Sequence, residues 1–193
     1  MSIELEQAAR QALGAAHAAD PHTVDGRPRE AVYAARVEAW VSRLVDSPSL
    51  ALRLAAQAQH LERWAIPRRD FPEGRGGYLR WRSAVHQRQG LRARKLLVAA
   101  GCEAPLAEHV QRLVAKATPQ GDPEAQALED AACLVFLETE LGDFVRKHEH
   151  EHAKVADILR KTWTKRMSPR ARELALALDL PPQTAELVRA ALA

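Results

Sequence analysis

The chain has 193 residues, 47% of them hydrophobic, and a formal net charge of +3. That length suits one domain with a real core, and so mild a charge, with acids and bases interspersed, gives no argument for a nucleic-acid partner. The sequence has no apolar run near the roughly 20 residues of a membrane span and no signal-peptide pattern in its opening Met-Ser-Ile-Glu-Leu-Glu, and its two unpatterned cysteines, Cys102 and Cys133, fit a reducing cytoplasm.

Alanine, leucine, arginine and glutamate are frequent and long β-branched runs are missing, which favours helix. A first helix is predicted over 3–19 from Ile3, Ala9, Leu13 and Ala16, ended by Asp20-Pro21. After a loop through Gly26, Pro28 opens a second, with Val32, Ala35, Val37, Trp40, Val41 and Leu44 as its apolar content. Ser47-Pro48 reads as a cap and first-turn proline for a third helix running to about Trp64. On it Arg53, Gln57, His60 and Trp64 share a face, opposite Leu50, Leu54, Ala58 and Leu61. Residues 65–77, with two prolines and three glycines, read as an irregular loop carrying Arg68, Arg69 and Arg75. A fourth helix runs from near Tyr78 to before Gly101, with Tyr78, Arg82 and His86 on one face and Arg88, Arg92 and Arg94 on a solvated basic face. Pro105 opens a fifth, with Lys116 at its end.

Asp122-Pro123 starts the helix around which the chain is organised, which continues to about Lys147. From Ala131 to Leu137 it is apolar almost all round, the mark of a helix buried by others. Glu129 and Asp130 precede that run, and a buried carboxylate needs a cation, a metal or a polar pocket to answer it. A seventh helix is expected near 151–166, an eighth after Ser168-Pro169 and a ninth over 182–192, the last two peripheral. No strand is predicted. The expected architecture is a single all-α domain over 1–193.

His148-Glu-His-Glu-His152 formally matches His-Glu-x-x-His, but it is polar throughout and falls where one helix ends and the next begins, so a solvated turn accounts for it. Gly-Arg-Gly-Gly at 74–77 is too short for a phosphate loop, and the only basic residue of 182–192 is Arg189, too little for groove binding.

Four blocks then carry a resemblance. Ala-Gln-His60-Leu-Glu-Arg63-Trp64-x-Ile-Pro67-Arg68, Gly77-Tyr78-Leu-Arg-Trp81-Arg82, Leu128-Glu-Asp-x-Ala-Cys-Leu-Val-Phe-Leu-Glu138 and Leu159-Arg-Lys-Thr-Trp163 together resemble DUF4202, a family of uncharacterised proteins, over nearly the whole chain. A His on one helix, a His on the next and an acid in a later buried helix are remotely similar to the HD superfamily of helical metal-dependent phosphohydrolases. That resemblance implies a divalent metal ion (zinc, manganese or iron) held by His60, His86 and Asp130, with Glu129 beside them. Leu61 stands where the defining aspartate would follow His60, and Arg36 and Lys116 stand where further ligands would lie.

Two functions follow. One is an HD-like hydrolase of a small phosphorylated or otherwise anionic metabolite, with His60, His86, Glu129 and Asp130 catalytic and Arg63, Trp64, Arg68, Tyr78, Arg82 and Lys116 binding substrate. The other is a metal-free anion-binding or regulatory module. In either, His60, Trp64, Tyr78, Arg82, His86 and Asp130 are expected to converge on one pocket rimmed by 65–77. A homodimer is left open, and neither nucleic acid nor membrane is expected as a partner.

Overall fold

Asp20 and the turn after it lead the chain from its first helix into its second. Asp25 and Gly26 both have positive φ, 49° and 72°, as a two-residue hairpin turn requires. The turn joins two short antiparallel strands, β1 (Thr23–Val24) and β2 (Arg27–Pro28), paired Thr23 to Pro28 and Val24 to Arg27. This corrects the strand-free expectation: Asp-Gly is a strong hairpin signal even when the strands it joins are two residues long.

The computed structural model describes residues 3–148, 150–180, 182, 185, 186 and 188, the side chain of His152 excepted. Nine α-helices lie among the described residues, and the fold is all-α apart from the hairpin. Most of the ninth expected helix, 182–192, lies outside them. The chain, expected as one domain, divides into two compact units, Met1–Leu128 and Glu129–Ala193.

The first unit holds α1 (Ile3–Ala18), α2 (Arg29–Leu44), α3 (Leu50–Gln57), α4 (Gly74–Ala99), α5 (Ala104–Val114) and the start of α6 (Pro123–Val135). Pairs α1–α2, α2–α3, α3–α5 and α4–α5 pack against one another, and α1 also touches α3 and α4. Leu13, Val37, Val41, Leu52, Leu54, Leu61, Leu97, Val110 and Val114 are the largest side chains removed from water in this unit. Ser49, not Ser47, caps α3, its side chain accepting from the Leu52 amide at 3.1 Å. Asp122 caps α6 as expected, taking the amides of Glu124 and Ala125.

Two expected elements have different bounds. Helix α3 stops at Gln57 instead of Trp64, so His60 and Trp64 do not share one of its faces. The chain turns through His60 and Glu62, both left-handed at φ 60° and 49°, into a short 3₁₀ turn over Arg63–Ala65. No glycine or proline marks this break; what holds it is tertiary, as the site geometry below makes plain. Helix α4 begins at Gly74, four residues before Tyr78, so the connecting stretch is shorter than 65–77 and itself contains a 3₁₀ turn, Arg68–Asp70. Gly77 is there for contact, not irregularity: a Cβ on it would lie 1.7 Å from the Pro72 carbonyl oxygen.

In the second unit the helical path continues from Glu129 through α6, a π-helical turn (Phe136–Glu140) and α7 (Leu141–Lys147). Ala131, Cys133, Leu134, Val135, Leu137 and Leu141 are buried, as the apolar stretch required. Helices α8 (His152–Lys165) and α9 (Pro169–Leu176) follow, and Ser168 caps α9 through the Ala171 amide at 3.2 Å. His148 lies in the break between α7 and α8, where its Nδ1 donates to the Phe144 carbonyl. Glu149 and the His152 side chain, two members of the zincin-like pattern, lie outside the described residues. No helix among the described residues is long and apolar enough to cross a membrane.

Candidate functional site

Helix α2 begins where Asp20 can hold it. The Asp20 carboxylate takes the Glu30 amide at 2.9 Å on one oxygen and the His22 amide at 2.9 Å on the other. A carboxylate at a helix N-terminus answers free amides and the positive end of the dipole. The result fixes Glu30 in the first turn of α2 with its side chain only 5% exposed. Tyr33 follows one turn later on the same face.

His60 meets both. Its ring stacks on Tyr33 with centroids 3.8 Å apart and 7° between planes. Its Nδ1 lies 2.9 Å from Glu30 Oε2 and its Nε2 2.6 Å from Nη1 of Arg63. An arginine N–H can only donate, so Nε2 accepts and the ring proton sits on Nδ1, donated to Glu30. The imidazole is thus a neutral base oriented by a carboxylate and covered by a guanidinium. Burial pushes the His60 pKa down most; the Glu30 hydrogen bond raises it and Arg63 lowers it further, and the balance falls at about 4. Glu30 is raised by burial but lowered more by the His60 hydrogen bond and by Arg29, to about 2. A left-handed conformation costs on the order of 1 kcal/mol at each of two non-glycine residues. Contacts offset it: the stack and hydrogen bonds at His60, and at Glu62 ion pairs with Arg88 (3.0 Å) and Arg92 (2.7 Å) on α4. Those two arginines, expected on a solvated face, pin the turn to α4, and Arg94 pairs with Glu108 at 2.8 Å.

Across that junction lies His86 of α4. Burial lowers its pKa to about 4, helped by Lys116, Arg82, His60 and Arg63 in that order. All four are cationic or carry a cationic form, and all lie within electrostatic reach. The approach of Lys116 depends on Gly90: a Cβ there would stand 2.7 Å from the Gln111 carbonyl and 3.0 Å from the Ala115 Cβ, so only glycine lets α4 and α5 come this close. Arg63 also lies over the Trp81 ring at 5.2 Å, and Trp81 donates its indole N–H to the Ile66 carbonyl at 2.8 Å. Gln89, buried one turn beyond His86 on the same helix, has an Nε2 donor with no partner among the described residues.

Within the first unit His60 and Arg63 therefore touch, and Lys116, Arg82, His60 and Arg63 all act electrostatically on His86. Trp64 lies in the 3₁₀ turn beside Arg63. Tyr78 is 44% exposed, its ring 5.8 Å from that of Trp81. Arg68 spends its guanidinium on the carbonyls of Phe71 and Pro72, closing the chain before α4. Glu129 and Asp130 belong to the second unit. Glu129 pairs with Arg166, and buried Asp130 takes the Ser168 amide at 2.8 Å, at the start of α9.

The acid beside His60 is Glu30, which sequence reasoning missed. The available signal was Glu30 and Tyr33 at helical spacing behind an Asp-Gly turn; without α2 packed against the 58–65 turn, nothing in the sequence links them to His60.

A zinc, manganese or iron ion would need several unprotonated nitrogens or carboxylates aimed at one point. Both nitrogens of His60 are hydrogen-bonded, one to a guanidinium, and cations crowd His86. No group of three or more His, Cys, Asp or Glu side chains able to hold a metal occurs among the described residues. His60 and His86, placed this way, do not fit a metal.

A family model described as "Domain of unknown function (DUF4202)" matches residues 7–188. No curated protein and no solved structure matches the chain.

Proposed function

The chain belongs to the DUF4202 family, and we propose that its first unit binds a small phosphorylated or otherwise anionic metabolite without a metal. The observation that carries this is the set of cationic side chains, Lys116, Arg82 and Arg63, acting on one partly buried histidine, His86. Guanidinium groups hold phosphate and carboxylate bidentately, and in a poorly solvated site that attraction is strong. A bound anion also offsets the charges that drive the proton from His86, so binding carries proton uptake.

The Glu30–His60 hydrogen bond favours a second, catalytic reading of the same site. The anion draws Arg63 off Nε2, which then accepts a proton from water as the water attacks. Glu30 steadies the resulting imidazolium, and His60 returns the proton to the leaving group. This is hydrolysis of a phosphorylated metabolite, HD-like in outcome, with residues of the first unit alone.

Calorimetric titration with phosphate, pyrophosphate and nucleotides, in buffers of different ionisation enthalpy, tests the binding. Expected are saturable binding with net proton uptake near pH 6 and at least about tenfold weaker binding in Arg82→Ala. No binding of any of these anions to the parent protein refutes it. Turnover of a phosphomonoester in the presence of a chelator separates hydrolase from binding module.

A further inference from the structure

Helices α4 and α5 end in the same way but on different residues. After α4 the Gly101 amide returns to the Val98 carbonyl at 3.0 Å and the Cys102 amide to that of Leu97 at 2.9 Å. After α5 the Lys116 amide returns to the Leu113 carbonyl at 3.3 Å and the Ala117 amide to that of Arg112 at 2.9 Å. Both are Schellman ends, in which the first residue past the cap is left-handed. Gly101 is so at φ 89° and Lys116 at φ 55°. Glycine takes that backbone without strain, having no Cβ to meet the following carbonyl, and lysine does not.

The helix end itself does not account for the lysine. A cation gains from the dipole within the last turn, in ordinary right-handed backbone, and Arg112 already stands in the last turn of α5. What sets position 116 apart is its surroundings. Gly90 lets α5 approach α4 at Ala115, the residue before Lys116: a Cβ on Gly90 would lie 3.0 Å from that of Ala115. His86 is one turn from Gly90 on the same face of α4. Burial lowers the His86 pKa most, and among the charges Lys116 lowers it more than Arg82, His60 or Arg63. Lys116 is also exposed, so a dissolved ligand can reach its side chain. Two local choices thus run against helix stability, a glycine inside α4 and a lysine where α5 ends. Both bring the end of α5, with its lysine, up to the His86 face of α4. Strained backbone of this kind persists where it serves a site.

We propose that Lys116 is an affinity-determining residue of the anion site, touching the ligand and retained there against fold stability. The proposal rests on the anion-binding reading above. Glycine at this position makes the better helix end and the poorer site.

Two measurements on the full chain test it: thermal melting without ligand, and calorimetric titration with inorganic phosphate and pyrophosphate at pH 7. Lys116→Gly should raise the Tm by about 2–4 °C and weaken anion binding at least about tenfold. Lys116→Asn, whose side chain tolerates left-handed backbone better than lysine, separates lost charge from gained flexibility and should weaken binding as much. A Lys116→Gly chain that melts below the parent would mean that the lysine serves the fold. One that melts higher but binds both anions as the parent does would place Lys116 outside the site. Either result overturns the proposal and leaves the anion site standing. A parent chain that binds neither anion removes the site itself, and the proposal with it.

Discussion

Glu30 and Asp130 are both carboxylates almost wholly removed from water, at 4% and 3% exposure. Glu30 faces a histidine: it takes the Nδ1 proton of His60, whose other nitrogen meets Arg63. Asp130 faces the start of a helix, where it accepts the Ser168 amide just ahead of α9. A buried acid must be satisfied, but how it is satisfied decides what it can do. A carboxylate spent on a helix terminus holds architecture in place. One spent on an imidazole fixes a tautomer, leaves the far nitrogen basic, and so sets up proton transfer.

The largest expected difference between the two regions appears in acid. His60 and His86 have folded-state pKa values of about 4, below the ordinary histidine value of 6.5. Between those limits the unfolded chain binds more protons than the folded one, so stability is complete above pH 6.5 and falls as pH drops to 4. Each histidine contributes on the order of 3 kcal/mol, with solvent screening trimming the share of partly exposed His86. Glu30, lowered from 4.5 to about 2, adds a further loss across that lower range. Denaturant melts at pH 7, 5.5 and 4.5 should show it, and a double variant, His60→Gln with His86→Gln, should lose most of the slope between pH 6.5 and 4. A double variant that keeps the full slope would place the acid sensitivity elsewhere.

Next comes Asp130→Ala. It strips the Ser168 amide of its buried acceptor and should cost about 2–3 kcal/mol, while phosphate binding to the first unit stays within about twofold of the parent. Loss of anion binding with stability intact would reverse the roles assigned here.

The sequence made the helical class, the caps Asp122 and Ser168, and the buried stretch Ala131–Leu137 legible, because each rests on local spacing. It also picked out His60 and Arg63, which touch, and Arg82 and Lys116, which act with them on His86. It erred where tertiary contacts override local preference. His60 and Glu62 take left-handed backbone with no glycine to announce it, because Tyr33, Glu30, Arg88 and Arg92 hold them there. The periodicity from Leu50 to Trp64 is real, yet the helix stops at Gln57. Glu30, an acid beside His60, lies thirty residues upstream of the histidine, in a first turn that Asp20 organises, and no local pattern links the two.

A smaller effect sharpens the contrast between the two histidines. Gly90→Ala must shift α4 away from Gln111 and Ala115, at about 1–2 kcal/mol. With Lys116 drawn back, the His86 pKa should rise toward its ordinary value while that of His60 stays, both followed by imidazole NMR. Equal movement of both would mean that the helix pair acts on the whole cluster and not on His86 alone.

The smallest change in stability and the most informative in chemistry is expected from Glu30→Gln. The amide oxygen can still accept the Nδ1 proton of His60, so the hydrogen bond survives and the cost should be about 1 kcal/mol. The charge is gone, and with it the electrostatic pull that helps to raise the His60 pKa against burial and Arg63. That pKa should therefore fall below 4, which a proton titration of the ring resolves even when activity is unknown. The anion binding proposed for Arg63, Arg82 and Lys116 should change little or tighten, since a negative charge has left the site. Any metal-independent hydrolysis should drop by about a hundredfold, because the imidazolium formed in the transition state has lost its counter-charge. If the His60 pKa rises instead, Glu30 is not what holds this histidine, and both the acid–base pair and the contrast with Asp130 fall with it.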